Sequence, residues 1–317
     1  MTDPTDNNPP SPLTYHPRQW RDCVYVYPVV SRRSRGVSIG VNLNHDKRCT
    51  FACVYCQVEG RSLPGVARPP SGVACGSQAQ PWAAVPQSPP PAALDLALLR
   101  RELLLAVEET ATGRLWEEPL FRPTPTDMRR LHDIALSGDG EPTCLEDFDK
   151  AVGVAADVRR QTGRTELKII VISNASQFHR PPFQRALPIL DANGGEVWAK
   201  LDAGTEELFQ RINHPYPVVP LRRILDNILA VARGRPVVIQ SLFFRLDGAA
   251  PSEAAMDAYC HRLQEIIHGG GKIRLVQVYT IARAPSSLQA RPLERQELDA
   301  IAQKVRAVVS PVPVETY

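Results

Sequence analysis

The strongest constraint on the fold is a repeated order: a short apolar segment, then a longer amphipathic one. Residues 133–137, 167–173, 196–201, 236–244 and 273–281 read as strands, rich in Ile, Val and Leu and ending in small or polar residues. Each is followed by residues at helical spacing, including 143–158, 205–212, 221–233, 252–267 and 293–309. Residues 24–30 and 37–43 alternate as strands do, and 95–112 is a Leu-rich helix closed by Gly113. Thr143 with Glu146 reads as a capping box, Ser252 as an N-cap, and residues 269–271 as a stop. Strand-helix alternation gives a parallel sheet with helices outside it. About six units are too few for an eight-fold barrel. The expected α/β fold is therefore a partial (β/α)6 barrel, an open parallel sheet with outer helices. In such folds chemistry gathers at the C-terminal ends of the strands.

The domain organisation follows from composition. Residues 1–22 read as a flexible N-terminal arm and residues 23–317 as one domain, interrupted by an insertion at 62–93 rich in Pro, Gly, Ser and Ala. No apolar run approaches the ~18 residues of a membrane span. The polar start lacks the features of a signal peptide, so no membrane partner and a cytoplasmic location are expected. A net charge of +3 gives no nucleic-acid signature. Arg32, Arg33 and Arg35 do cluster, as a site for a phosphate or carboxylate or as a solvated loop.

Seven cysteines are present, an odd number that argues against a disulfide framework. Three of them, Cys49, Cys53 and Cys56, fall within eight residues, spaced C-x3-C-x2-C on the loop after a strand. Thiolates this close select zinc or iron–sulfur. Structural zinc takes four ligands, which would require His45 or a remote cysteine. A 4Fe-4S cluster takes one cysteine per iron, so three leave one iron open to a ligand. Cys75 lies in the insertion, Cys260 on an apolar helix face, and Cys23 and Cys144 stand alone.

This spacing, with the aromatic Tyr55 before the third cysteine, resembles the fingerprint of the radical S-adenosylmethionine superfamily. The resemblance implies a barrel of the radical SAM type holding a 4Fe-4S cluster through Cys49, Cys53 and Cys56. It also implies S-adenosyl-L-methionine on the open iron, cleaved reductively to a 5'-deoxyadenosyl radical that abstracts hydrogen from substrate. A reducing partner such as flavodoxin or ferredoxin follows from that chemistry. Gly138-Asp139-Gly140-Glu141-Pro142 resembles the family's Gly-Gly-Glu-Pro motif for the methionine amino group, with Asp139 as a departure. Glycines there allow close backbone approach, and carbonyls or Glu141 can accept from an ammonium.

Other strand-end residues extend the candidate site. Asn174 can meet the ribose or carboxylate, Lys200 the methionine carboxylate, and Asp202 a ribose or substrate. Lys200 and Asp202 equally fit a structural ion pair at the rim. Arg245 and Arg283 are anion-binding candidates, and Gln277 and Tyr279 line the barrel. Six stretches (31–36, 41–43, 137–143, 200–203, 211–213 and 278–283) are similar to wyosine-synthase-related iron–sulfur oxidoreductases. The leading reading is a radical enzyme acting on an unidentified small molecule or peptide, and the subgroup resemblance adds tRNA as a candidate substrate. The competing readings are a tRNA-modifying enzyme, a glycyl-radical activating enzyme and a non-catalytic metal-binding module.

Overall fold

The computed structural model describes residues 11–13, 15–58, 93–283, 285 and 287–317. The insertion at 62–93, Cys75 included, lies outside the described residues except for its last position. In chain order the strands are β1 (Val26–Ser31), β2 (Gly36–Val41), β3 (Leu131–Leu136), β4 (Lys168–Ser173), β5 (Gly195–Lys200), β6 (Val237–Leu242), β7 (Arg245–Leu246), β8 (Ile273–Tyr279), β9 (Ala290–Arg291) and β10 (Val314–Thr316). The helices are α1 (Leu96–Ala111), α2 (Phe148–Gln161), α3 (Pro181–Ala192), α4 (Glu206–Asn213), α5 (Leu221–Gly234), α6 (Glu253–His268) and α7 (Arg295–Val309).

The main sheet has eight strands in the order β1-β2-β3-β4-β5-β6-β8-β10, and β7 with β9 forms a separate ribbon. Within the main sheet every pairing from β2 onward is parallel, and a helical connection precedes each strand after β2. The six expected strand-helix units are present. Two features go beyond them. The first strand runs antiparallel to β2, pairing Val26 with Val41 and Ser31 with Gly36 through a turn with Arg35 at φ 52°. A three-residue strand, β10, adds a seventh parallel member.

Alternate residues of the central strands face opposite ways. Ile134, Ile169, Val171, Val197, Ala199, Val237 and Ile239 join the main core beneath the helices. Ala135, Ile170, Trp198 and Val238 form a second cluster on the other face. Burial on both faces explains why these strands read as continuous apolar runs. The sheet is strongly curled. Arg33, beside β2, lies over the ring of Tyr279 on β8 at 5.1 Å. Five steps of about 4.8 Å would separate those strands in a flat sheet. The second face therefore lines the lumen of a half-barrel.

Side-chain caps set several helix starts. Asp95 accepts from Leu98 N at 2.9 Å, Thr205 from Leu208 N at 3.2 Å, and Ser252 from Ala255 N at 3.2 Å. The capping box expected at Thr143 and Glu146 does not form. Residues Pro142–Cys144 make a 3-10 turn, and α2 begins only behind Asp147. Both side chains are taken elsewhere: Thr143 Oγ1 donates to Glu141 at 2.5 Å, and Glu146 pairs with Arg180. The described part of the expected N-terminal arm packs on the domain. Trp20 is buried in the main core, and its indole N–H reaches Glu118 at 3.1 Å.

Candidate functional site

The cysteine loop leaves the C-terminal end of β2 and is stapled to the end of α4. Ala52 N donates to Asn213 O at 3.1 Å, Val54 N to Ile212 O at 2.9 Å, and Tyr216 N to Thr50 O at 2.6 Å. On its other side the loop touches the glycine motif. A Cβ on Gly140 would lie 2.1 Å from Arg48 O, so only glycine allows Glu141 N to donate to that carbonyl at 3.0 Å.

These contacts leave a cavity of about 180 Å³ lined by Cys49, Cys53, Cys56, Tyr55, Gly138, Gly140, Glu141, Asn174, Lys200 and Asp202. Ten of the twelve residues expected to hold the cluster and cosubstrate thus meet in one place. Asp139 and Pro142 do not line it. Asp139 turns away, pairing with Arg18 at 3.2 Å and accepting from Asn42 Nδ2 at 3.3 Å. Pro142 is buried at the first position of the 3-10 turn.

Each cysteine sulfur has an N–H donor. Asn174 Nδ2 lies 3.9 Å from Cys49 Sγ, Asn213 Nδ2 3.5 Å from Cys53 Sγ, and Val58 N 3.4 Å from Cys56 Sγ. Such donors stabilise negative sulfur, as in a cluster-bound thiolate. Burial pushes the Cys53 thiol up to about 11 and raises that of Cys49 as well, so both are protonated until a cation replaces the proton. No three described His, Cys, Asp or Glu side chains stand close enough to grip a single ion. A four-iron cluster places its cysteines on separate irons, which suits thiols spread around one cavity. His45 packs edge-on against Tyr25 at 4.8 Å and does not line the cavity.

Glu141 has a different place from the expected ammonium partner. Its buried carboxylate accepts from Thr143 Oγ1, from Thr143 N at 3.2 Å, from Ser173 Oγ at 2.7 Å and from Asn174 N at 2.8 Å. It therefore ties the glycine turn to the end of β4. Burial raises its pKa despite those donors. Asn174 is held by the same node and donates to Thr50 Oγ1 at 2.9 Å.

A second node joins β5 to the loop. Tyr55 donates its hydroxyl hydrogen to Asp202, which also accepts from Leu242 N at 2.9 Å and from Asn213 Nδ2 at 3.3 Å. Lys200 lies 3.5 Å from Asp202 and donates to Tyr279 Oη at 2.8 Å. Burial opposes its charge, but Asp202 and Tyr279 outweigh that and hold the ammonium above its ordinary pKa. Asn213, which touches Cys53, Tyr55 and Asp202, was absent from the sequence-derived site; only its presence in the 211–213 stretch pointed to it. Arg245 is not available as an anion anchor, because it pairs with Glu297 at 2.5 Å. Gln277 accepts from Gln240 at 2.9 Å, and Cys260 is core.

A curled, mostly parallel half-barrel with three loop cysteines at the C-terminal end of its strands defines a class: the chain has the fold of the radical S-adenosylmethionine enzymes. It resembles a radical SAM methyltransferase from Sphaerobacter thermophilus, with a TM-score of 0.52 and 14% identity over 92% of this chain and 68% of that one. It also resembles TYW1 solved with a lysine–pyruvate adduct bound, with a TM-score of 0.50 and 12% identity over 87% and 74% of the two chains. Among curated proteins it is similar to a UPF0026 protein of Helicobacter pylori strain 26695, 25% identical over 275 residues, which are 86% of this chain and 70% of the relative. No family model matches. Among the described residues, no helix is long and apolar enough to cross a membrane.

Proposed function

We propose that the protein is a radical S-adenosylmethionine enzyme of the oxidoreductase or lyase type, with Cys49, Cys53 and Cys56 holding a 4Fe-4S cluster. Bound there, the cluster would supply the electron for reductive cleavage of S-adenosylmethionine to methionine and a 5'-deoxyadenosyl radical able to take hydrogen from substrate. The chain's own residues bind and orient. Asn174, Asn213 and Val58 direct N–H groups at the three sulfurs. The Gly138–Gly140 turn lets the cosubstrate approach the backbone, with Glu141 fixing the turn rather than meeting the ligand. The Lys200 ammonium suits the methionine carboxylate, and Asp202 holds Tyr55 beside Cys53. The electron comes from a small reducing protein such as flavodoxin or ferredoxin, in the cytoplasm.

The observation that carries this reading is the convergence of three N–H-supported thiols and the glycine turn on one cavity beside a barrel lumen. The test is anaerobic reconstitution followed by electron paramagnetic resonance with and without S-adenosylmethionine, and an assay for 5'-deoxyadenosine. A 4Fe-4S signal that shifts on adding the cosubstrate, with deoxyadenosine release, is expected. Zinc at one per chain with no iron would leave a metal-binding module instead.

A further inference from the structure

The lumen of the half-barrel contains a cavity of about 350 Å³ that shares a wall with the cysteine pocket. Tyr55, Cys56, Ser137, Gly138, Ile172 and Lys200 line both. Its apolar floor is Ala135, Ile170 and Trp198 from the inner face of β3, β4 and β5. Cations gather elsewhere on its lining, Arg18, Arg33 and Arg283 together with His16, while the carboxylate that also lines it, Asp133, is engaged by Ser34 Oγ and Ser38 Oγ.

These charges are poorly neutralised. Arg18 has Asp139 at 3.2 Å. Arg33 lies over the Tyr279 ring, and among the described residues neither it nor Arg283 forms an ion pair with a carboxylate. Burial and then the neighbouring Arg18 and Arg33 push Arg283 down to about 10. Burial, Arg283 and Arg18 push His16 down to about 4, so its ring is neutral at pH 7. His16 Nε2 is buried with no hydrogen-bond partner among the described residues. Half-buried guanidiniums without a counter-charge are costly, and their planar forks match a carboxylate or phosphate. The Cys-loop residue Gln57 donates to Arg283 O at 3.1 Å, which fixes this edge of the lumen to the cysteine loop.

We infer that Arg33 and Arg283, with Arg18 and His16, form the anchor for an oxyanion group of a small-molecule substrate, whose carbon part lies over Ala135, Ile170 and Trp198 toward the Tyr55–Cys56 wall. The inference rests on the proposed radical chemistry for the reason the lumen adjoins the cysteine pocket; the anchor itself rests on the cationic lining. A cavity of this size is at the small-ligand end of the usual range, which favours a small molecule over a polymer.

The test is calorimetric titration of malonate and of pyrophosphate into the reconstituted full-length protein with S-adenosylmethionine present, at fixed ionic strength, with 1,3-propanediol as the uncharged control. One of the two anions binds saturably at one per chain, and Arg33→Gln and Arg283→Gln each weaken it at least about tenfold. Preference for malonate identifies a carboxylate on the substrate, and preference for pyrophosphate a phosphate. Should the variants fail to fold, phenylglyoxal labelling of wild-type Arg283, followed by mass spectrometry, gives the same answer: the preferred anion protects it. The inference is overturned if neither anion binds, if the variants bind as wild type does, if Arg283 is not protected, if S-adenosylmethionine displaces the anion, or if an RNA oligonucleotide binds where both small anions do not. Iron content and the resonance response to S-adenosylmethionine, read on the same samples, score the radical assignment separately. An iron-free sample that still binds malonate at the arginines would retain the anchor and remove the cluster.

Discussion

The two ends of the same strands hold buried charge in opposite ways. At the N-terminal end, Glu196 of β5 receives Lys168 Nζ at 2.8 Å, Arg274 Nη1 at 2.7 Å and Trp198 Nε1 at 2.9 Å. Asp133 of β3, which also lines the lumen, accepts from Ser34 Oγ at 2.5 Å and from Ser38 Oγ. Both carboxylates are met within the protein. At the C-terminal end the three cysteine sulfurs receive N–H donors, and in the lumen neither Arg33 nor Arg283 has a carboxylate partner among the described residues. Since the strands are shared, the difference separates what closes the sheet from what the sheet holds ready for ligands, as in barrels whose bottom serves stability and whose top serves chemistry.

Substitution at the top end should remove function and leave the fold. Cys53→Ala is expected to lower bound iron and deoxyadenosine release to background after reconstitution, while the circular dichroism melt stays close to wild type. Iron at the wild-type level in that variant would break the comparison, because the loop would then not hold its metal through Cys53. The effect of Asn213→Ala is smaller. It keeps all three sulfurs but removes the donor to Cys53 and one support of the Tyr55–Asp202 bond. Loss of such a supporting group costs roughly 10–100-fold in metal affinity or activity. Competition with a chelator measures it, and an unchanged half-life of the cluster would show that Asn213 only packs.

How much of this was legible depended on whether the signal was local. The expected strand at 167–173 became β4 (Lys168–Ser173), and the cap at Ser252 formed, because apolar period and capping chemistry act within a few residues. The three cysteines and the glycine turn were legible for the same reason. Long-range partners were not. Nothing in 24–30 states that β1 runs antiparallel, and β10 is too short for a period to show. Glu141 looked like a ligand for an ammonium, but Ser173 and Asn174, more than thirty positions away, occupy its carboxylate. Arg245 and Arg283 looked alike in sequence, yet Glu297 satisfies one and leaves the other to the lumen.

The bottom end should answer to pH where the top end answers to metal. Burial alone would raise the pKa of Glu196, but Lys168, the Trp198 N–H and Arg274 together hold it below its ordinary value. A carboxylate depressed in the folded state adds stability above its unfolded pKa and loses it as pH falls through the folded one. Glu196→Gln is therefore expected to cost about 2 kcal/mol at pH 7, the scale of hydrogen bonds to a charged group. The gap between variant and wild type should close below about pH 4.3. Urea melts across that range decide it. A gap independent of pH would assign the loss to shape rather than charge.

The smallest effect sharpens the comparison by removing burial. Arg295 and Asp299 on α7 form an ion pair at 2.9 Å, nearly the same separation as Lys168 and Glu196. Their side chains are 70% and 45% exposed, against 34% and 9% for the buried pair. Water already solvates both surface charges, and ordering two long side chains offsets most of the attraction. Arg295→Ala should shift stability by no more than about 0.5 kcal/mol, read in the same urea melts at pH 7. A loss as large as that of Glu196→Gln would mean that distance, not burial, sets the strength of these pairs, and the contrast between the two ends of the sheet would lose its physical basis.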